Sequence, residues 1–168
     1  MSLFGFDRAN SVTKIFVQEN GEWVEWQEEK VLGEHNFEFV SIENIPKNLI
    51  NAFVAIEDKR FFEHKGVDWY RSLGAVANYF LHFGNKFGAS TITQQLIKNV
   101  TGEDEVSIKR KIREIAHALE LEDELSKDEI LELYLNIINL SDNCYGVGSA
   151  SRRFFSKSPS ELSLIECA

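Results

Sequence analysis

The stretch Gly88-Ala89-Ser90-Thr91-Ile92-Thr93-Gln94-Gln95-Leu96-Ile97-Lys98-Asn99 places a glycine-led turn, a hydroxyl-rich helix start and a lysine side by side. Those groups together suit an anion such as phosphate, since a helix start offers unpaired N–H donors and lysine a compensating charge. Ser90 or Thr91 can cap the helix, and Gln94, three residues after Thr91, closes a capping box. Thr91, Gln95 and Lys98 then fall at i, i+4 and i+7 and line one face, while Ile92 and Leu96 turn toward a core. Without other information the same residues describe an amphipathic helix with a good cap and a solvated face.

A second run with chemical potential is Glu57-Asp58-Lys59-Arg60-Phe61-Phe62-Glu63-His64-Lys65-Gly66. A carboxylate serves as general base only within hydrogen-bond reach of the proton it takes and in a partly desolvated place. Glu57 is the candidate, at the end of an apolar helical pattern with Phe61 and Phe62 just beyond it. An acidic pair is weak evidence in so acidic a chain. Glu103-Asp104-Glu105 and Glu122-Asp123-Glu124 qualify equally on residue type alone, and the surrounding run makes the difference.

Read together, these runs resemble the family 51 glycosyltransferases, the peptidoglycan glycosyltransferase domain of bifunctional penicillin-binding proteins and of monofunctional transglycosylases. The family's Glu-Asp-x-x-Phe-x-x-His-x-Gly and Gly-x-Ser-Thr-Ile-Thr-Gln-Gln-x-x-Lys-Asn patterns stand here intact and in order. Arg110-Lys111-Ile112-Arg113-Glu114 matches a third, Arg-Lys-x-x-Glu, and Lys127 through Tyr134-Leu135-Asn136 a fourth. A fifth runs from Tyr145-Gly146-Val147-Gly148 through Phe154-Phe155-Ser156-Lys157 to Glu166-Cys167-Ala168. The resemblance covers the chain from about Ile45 onward.

The resemblance implies a lysozyme-like fold with a small membrane-facing jaw, and a reaction that joins lipid-linked disaccharides. Glu57 would deprotonate the acceptor, lipid II, whose 4-hydroxyl attacks the anomeric carbon of the donor glycan with inversion and release of undecaprenyl pyrophosphate. Lys98, Arg110 and Arg113 would hold the donor phosphates, and Glu114 would be the second carboxylate of the site. Asp58, Phe61, His64, Thr91, Gln95, Tyr134 and Asn136 are implied as structural or substrate-orienting members. No cofactor is required by this chemistry; a divalent ion such as magnesium could help neutralise a pyrophosphate, but no metal-ligand spacing here demands one. The implied partners are lipid II and the growing lipid-linked glycan, a membrane surface, and phosphoglycolipid inhibitors of the moenomycin type. The implied location is the outer face of the bacterial cytoplasmic membrane.

Two other readings remain. A lysozyme-like enzyme that cleaves glycan would use Glu57 as an acid, but it has no need of lysine and arginine at a pyrophosphate position. A silent module that only binds lipid II or glycan is the other, and the presence of Glu57, Lys98 and Glu114 speaks for activity instead. Ser11 to Lys14 fits the Ser-x-x-Lys of transpeptidases, yet no Lys-Thr-Gly follows, so the match reads as chance.

Composition agrees with a folded domain. The 168 residues are 43% hydrophobic and 27% charged, enough for one core and unlike a disordered chain. The net charge of −9 disfavours a nucleic-acid partner. Charge is segregated, however: Lys98, Lys109, Arg110, Lys111 and Arg113 form one basic group and Arg152, Arg153 and Lys157 another. Cys144 and Cys167 read as free thiols, and His35, His64, His82 and His117 show no ligand spacing. No apolar run reaches the roughly 18 residues of a spanning helix, and the first residues lack a signal-peptide pattern, whereas family members usually carry an N-terminal anchor. The sequence stops inside the fifth motif, where family members usually continue into more helix, so the end of the domain is expected to be missing.

The elements that must position these residues divide at about residue 44. Residues 1–44 are expected to be β-rich, with Lys14 to Gln18 and Glu22 to Trp26 flanking an Asn20-Gly21 turn and 37–40 supplying a third strand. Residues 45–168 are expected to be the mainly α glycosyltransferase domain. Lys47 to Asp58 carries Leu49, Ile50, Phe53, Val54 and Ile56 on a broad apolar face, and Ser107 to Leu125 repeats Ile108, Ile112, Ile115 and Leu119 on one stripe. Ser126 with Glu129 opens the next helix with a second capping box. Residues 143–148 are expected as a loop, followed by a short helix, the Ser158-Pro159 break and a last helix. The jaw implied by the resemblance falls at Trp69, Tyr70, Leu73, Val76, Tyr79, Phe80, Leu81 and Phe83. Such a stripe is by default core, and an enzyme working on a lipid-held substrate gives part of it a membrane role.

Overall fold

The computed structural model describes the backbone of residues 4–7, 14–19 and 22–25, and residues 38–74, 90–101, 107–141 and 144–168 with their side chains. The chain is mainly α-helical. Three short strands, β1 (Phe4–Asp7), β2 (Lys14–Glu19) and β3 (Glu22–Glu25), form an antiparallel sheet in the order β1-β2-β3. Glu19 lies opposite Glu22, so two residues join β2 to β3, and Phe4 lies opposite Val17. The third strand is therefore β1. The expected strand at 37–40 is not formed in its described part, 38–40, because the Asn136 side chain takes the backbone groups a ladder would need: Val40 N–H donates to Asn136 Oδ1 and Asn136 Nδ2 donates to Val40 O, both at 2.8 Å.

Among the described residues five helices follow with both ends defined, and the first four are started by a local device. Pro46, whose fixed φ suits a helix entry, precedes α1 (Lys47–Glu57). Thr91 caps α2 (Ile92–Thr101): its hydroxyl accepts from Gln94 N at 3.1 Å while Gln94 Oε1 accepts from Thr91 N at 3.2 Å. Ser107 caps α3 (Ile108–Glu124) by accepting from Arg110 N, and Ser126 with Glu129 forms the capping box of α4 (Lys127–Ile137). Helix α5 (Gly146–Phe155) starts inside the segment expected as a loop and stops at Ser156, which adopts a left-handed conformation. Beyond Ser158, a single 3-10 turn, Pro159–Glu161, and further turns stand in place of the expected last helix.

The core surrounds α4, which buries Ile130, Leu131, Leu133, Tyr134, Leu135 and Ile137 and so has almost no solvent face. Helices α2 and α5 pack against it, and α3 packs on α2. Gly66 allows the loop after α1 to meet α3: its φ is +71°, and a Cβ there would come within 2.5 Å of Ala118 O.

Two apolar faces differ from expectation. On α1, Leu49 is buried and Ile50, Phe53 and Val54 pack on the core, but Ile56 is exposed. On α3 the buried positions are Glu114, Ala118 and Leu121, while Ile108, Ile112 and Leu119 face outward. Of the expected stripe Ile115 alone is half-buried, and the inward face carries instead a glutamate whose charge is met by basic neighbours. Trp69, Tyr70 and Leu73, on the helical stretch 69–74, are exposed. Val76 to Phe83 lie outside the described residues.

Candidate active site

Glu57 is the last residue of α1, and it is half-buried. Its Oε2 accepts a hydrogen bond of 2.9 Å from Gln95 Nε2 on α2. Gln95 Oε1 in turn accepts from the Tyr134 hydroxyl on α4 at 3.1 Å. Burial, with the charges of Glu57 and Asp58, pushes the Tyr134 phenol well above its ordinary pKa, so it remains a neutral donor. A fixed donor at the far end of Gln95 decides which way its amide points, and hence that N–H rather than C=O meets Glu57.

Asp58, fully buried, accepts from His64 Nε2 at 3.0 Å and from Ile92 N, the first residue of α2, at 3.0 Å. It joins the end of α1 to the start of α2. Thr91 serves the same joint, its hydroxyl donating to Gly66 O at 2.6 Å. Arg71 Nη1 donates to Glu57 O at 2.8 Å and lies 3.8 Å from Asp58 Oδ1. Sequence reasoning did not single out Arg71: it sits 14 residues after Glu57 in no quoted pattern, and nothing in the sequence signals its contact.

The next turn of α2 carries Lys98 into a second, basic pocket. Ile97, Lys98, Thr101, Arg110, Arg113, Glu114 and His117 line this small opening between α2 and α3. Glu114 is buried, paired with Arg110 Nη1 at 3.0 Å and with Lys111, whose ammonium also reaches Ser90 Oγ and Gln94 Oε1. A buried carboxylate so surrounded holds its basic partners in place, and removing it would strand their charge. Arg110 Nε is buried with no hydrogen-bond partner among the described residues. An incoming anion oxygen would satisfy that donor. His117 and Lys111 were not assigned roles in sequence, although Lys111 lies inside the third motif; His117 follows Glu114 by three residues on the same face.

The structure therefore gathers the sequence-selected residues into two neighbouring groups joined by α2. Glu57, Asp58, His64, Thr91, Gln95 and Tyr134 form one, and Lys98, Arg110, Arg113 and Glu114 the other. Phe61 and Asn136 belong to neither surface. Phe61 is fully buried, with the Lys127 ammonium 4.2 Å from its ring centre, and the Asn136 amide is used on Val40 and Glu132. Both are scaffold residues here. Among the described residues no group of three or more His, Cys, Asp or Glu side chains forms that could hold a metal ion, and no helix is long and apolar enough to cross a membrane.

A family model described as Transglycosylase matches residues 24–168. The chain belongs to this family, the family 51 glycosyltransferases. Among similar proteins, penicillin-binding protein 1A of Clostridium perfringens (strain 13 / Type A) is 56% identical over 133 residues, 77% of this chain and 20% of the relative. Penicillin-binding protein 1A of Clostridium botulinum (strain Langeland / NCTC 10281 / Type F) is 47% identical over 158 residues, 92% of this chain and 19% of the relative. That of Rickettsia conorii (strain ATCC VR-613 / Malish 7) is 40% identical over 165 residues, 94% of this chain and 20% of the relative. The chain thus spans about a fifth of the length of these relatives.

Proposed function

We propose that this chain is a peptidoglycan glycosyltransferase unit that polymerises lipid II into β-1,4-linked glycan with inversion, releasing undecaprenyl pyrophosphate. The observation that carries the reading is the placement, on one helix, of Gln95 against the Glu57 carboxylate and of Lys98 in the basic pocket one turn further on. In that reading Glu57 takes the proton of the acceptor hydroxyl as it attacks. The leaving pyrophosphate gains charge as the glycosidic bond breaks, and Lys98, Arg110 and Arg113 stabilise that charge most where they are already oriented and partly shielded from water. Glu114 keeps Arg110 aimed and is the second carboxylate of the site. A glycan-cleaving enzyme would leave the basic pocket without purpose.

The lysozyme-like arrangement, the bilayer-facing edge at Trp69, Tyr70 and Leu73, and a location on the outer face of the cytoplasmic membrane belong to the same proposal. Exposed apolar side chains beside a site that works on a lipid-held substrate support it. The test is incubation of the protein with lipid II in detergent. Polymer that a muramidase digests is the expected product; unchanged lipid II, or cleavage of preformed glycan instead, would overturn the reading.

A further inference from the structure

Arg71 stands at a closed circuit of contacts around Glu57. Its guanidinium donates to the Glu57 carbonyl at 2.8 Å and faces the Asp58 carboxylate at 3.8 Å. Asp58 receives the first N–H of α2 at 3.0 Å, and α2 returns Gln95 to the Glu57 carboxylate at 2.9 Å. The backbone of Glu57 and the helix that carries its side-chain donor are thus tied to the same guanidinium. Arg71 is itself well placed: its N–H donates to Asp68 Oδ1 at 2.9 Å, Asp68 Oδ2 accepts from Arg60 Nε at 3.0 Å, and Ser72 N donates to Asp68 O at 2.9 Å, so Asp68 caps the helical stretch 69–74. Burial alone would raise the Asp68 carboxyl, but the hydrogen bonds from Arg60 and Arg71 N hold it below its ordinary pKa, so the cap remains charged.

We propose that Arg71 is a positioning residue that sets the Glu57–Gln95 geometry of the glycosyltransferase site. It reaches Glu57 through the backbone carbonyl, not as a group acting on substrate. Its guanidinium neutralises the α1 carbonyl end and the buried Asp58 together, a task for which a planar, permanently charged fork suits better than a flexible ammonium. Loss of the fork lets the end of α1 move relative to α2, and a displacement of even an ångström at a reacting group costs rate steeply. The proposal rests on the reading of the site as a glycosyltransferase for its kinetic arm only.

The experiment compares wild type with Arg71→Ala, Arg71→Gln and Arg71→Lys. In polymerisation of lipid II, Arg71→Ala is expected to lower kcat roughly 10- to 100-fold with KM and phosphoglycolipid affinity near wild type, and Arg71→Lys to recover part of the loss. The second arm needs no activity: the Gln95 side-chain amide resonances should shift in Arg71→Ala and return toward wild type in Arg71→Lys. Arg71→Gln, which keeps a donor for the Glu57 carbonyl but removes the charge, replaces the alanine variant if that does not fold. If wild type makes no polymer, the functional reading fails while the amide arm still judges Arg71. Unchanged Gln95 resonances, unchanged kcat in a folded variant, or a loss expressed in KM and inhibitor affinity would overturn the proposal.

Discussion

Gln95 Nε2 donates a hydrogen bond of 2.9 Å to Glu57 Oε2, joining side chains 38 residues apart in the sequence. The bond is oriented from behind by the Tyr134 hydroxyl, so the carboxylate meets a donor whose direction is already chosen. Gln95→Leu keeps the volume and removes the donor. Turnover on lipid II is expected to fall roughly 10- to 100-fold, with phosphoglycolipid affinity retained, since Lys98 and the pocket lie on the next turn. Steady-state kinetics beside inhibitor binding measures both; a loss of inhibitor affinity as large as the loss of rate would show that Gln95 serves the pocket instead.

Lys98→Ala and Arg110→Ala are expected to weaken the hold on a phosphate-bearing ligand, each by about 1.5–3 kcal/mol, the scale of a hydrogen bond to a charged group. Arg110→Ala also deprives buried Glu114 of one partner, so the two effects need not add. Calorimetric titration with a moenomycin-type phosphoglycolipid reads the loss. Affinity unchanged in both variants would remove the phosphate assignment from this pocket.

Tyr134 links the site to stability at high pH. Its folded-state pKa is raised, by burial first and then by Glu57 and Asp58, whereas an unfolded tyrosine ionises near pH ~10. Its contribution is therefore complete below about pH 10 and falls as pH rises further, because the unfolded chain releases the proton and the folded one keeps it. Tyr134→Phe should cost about 1 kcal/mol at neutral pH through the lost bond to Gln95. The stability deficit of the variant should shrink between about pH 9 and pH 11. Denaturant unfolding at several pH values checks this, and a deficit that stays constant across the range would contradict it.

Much of the candidate site was legible in sequence through the family's motifs, and the helix caps through local order. Thr91 with Gln94 and Ser126 with Glu129 cap their helices as their spacing implies, and Lys98, Arg110, Arg113 and Glu114 do share one pocket. What was not legible depends on contacts between distant segments. Nothing local announces that Arg71 reaches Glu57, or that Asn136 holds the backbone of Val40 and prevents a strand there. Hydrophobic periodicity located α3 but not its inward face, for a definite reason. It scores Ile108 and Ile112 as inward and cannot score Glu114, which is buried because Arg110 and Lys111 accompany it. Asp68, which caps the helical stretch 69–74 and is held by Arg60, lies outside every motif quoted from the sequence.

The most direct test of the central claim, that Glu57 is the base for glycan polymerisation beside a phosphate pocket, is the rate of lipid II polymerisation by Glu57→Gln. The amide preserves size and can still pair with Gln95, so the fold and the phosphoglycolipid affinity should match wild type. The account predicts a rate lower by about 100-fold or more, the scale of losing a general base. A folded Glu57→Gln protein that polymerises at a rate near wild type would contradict it.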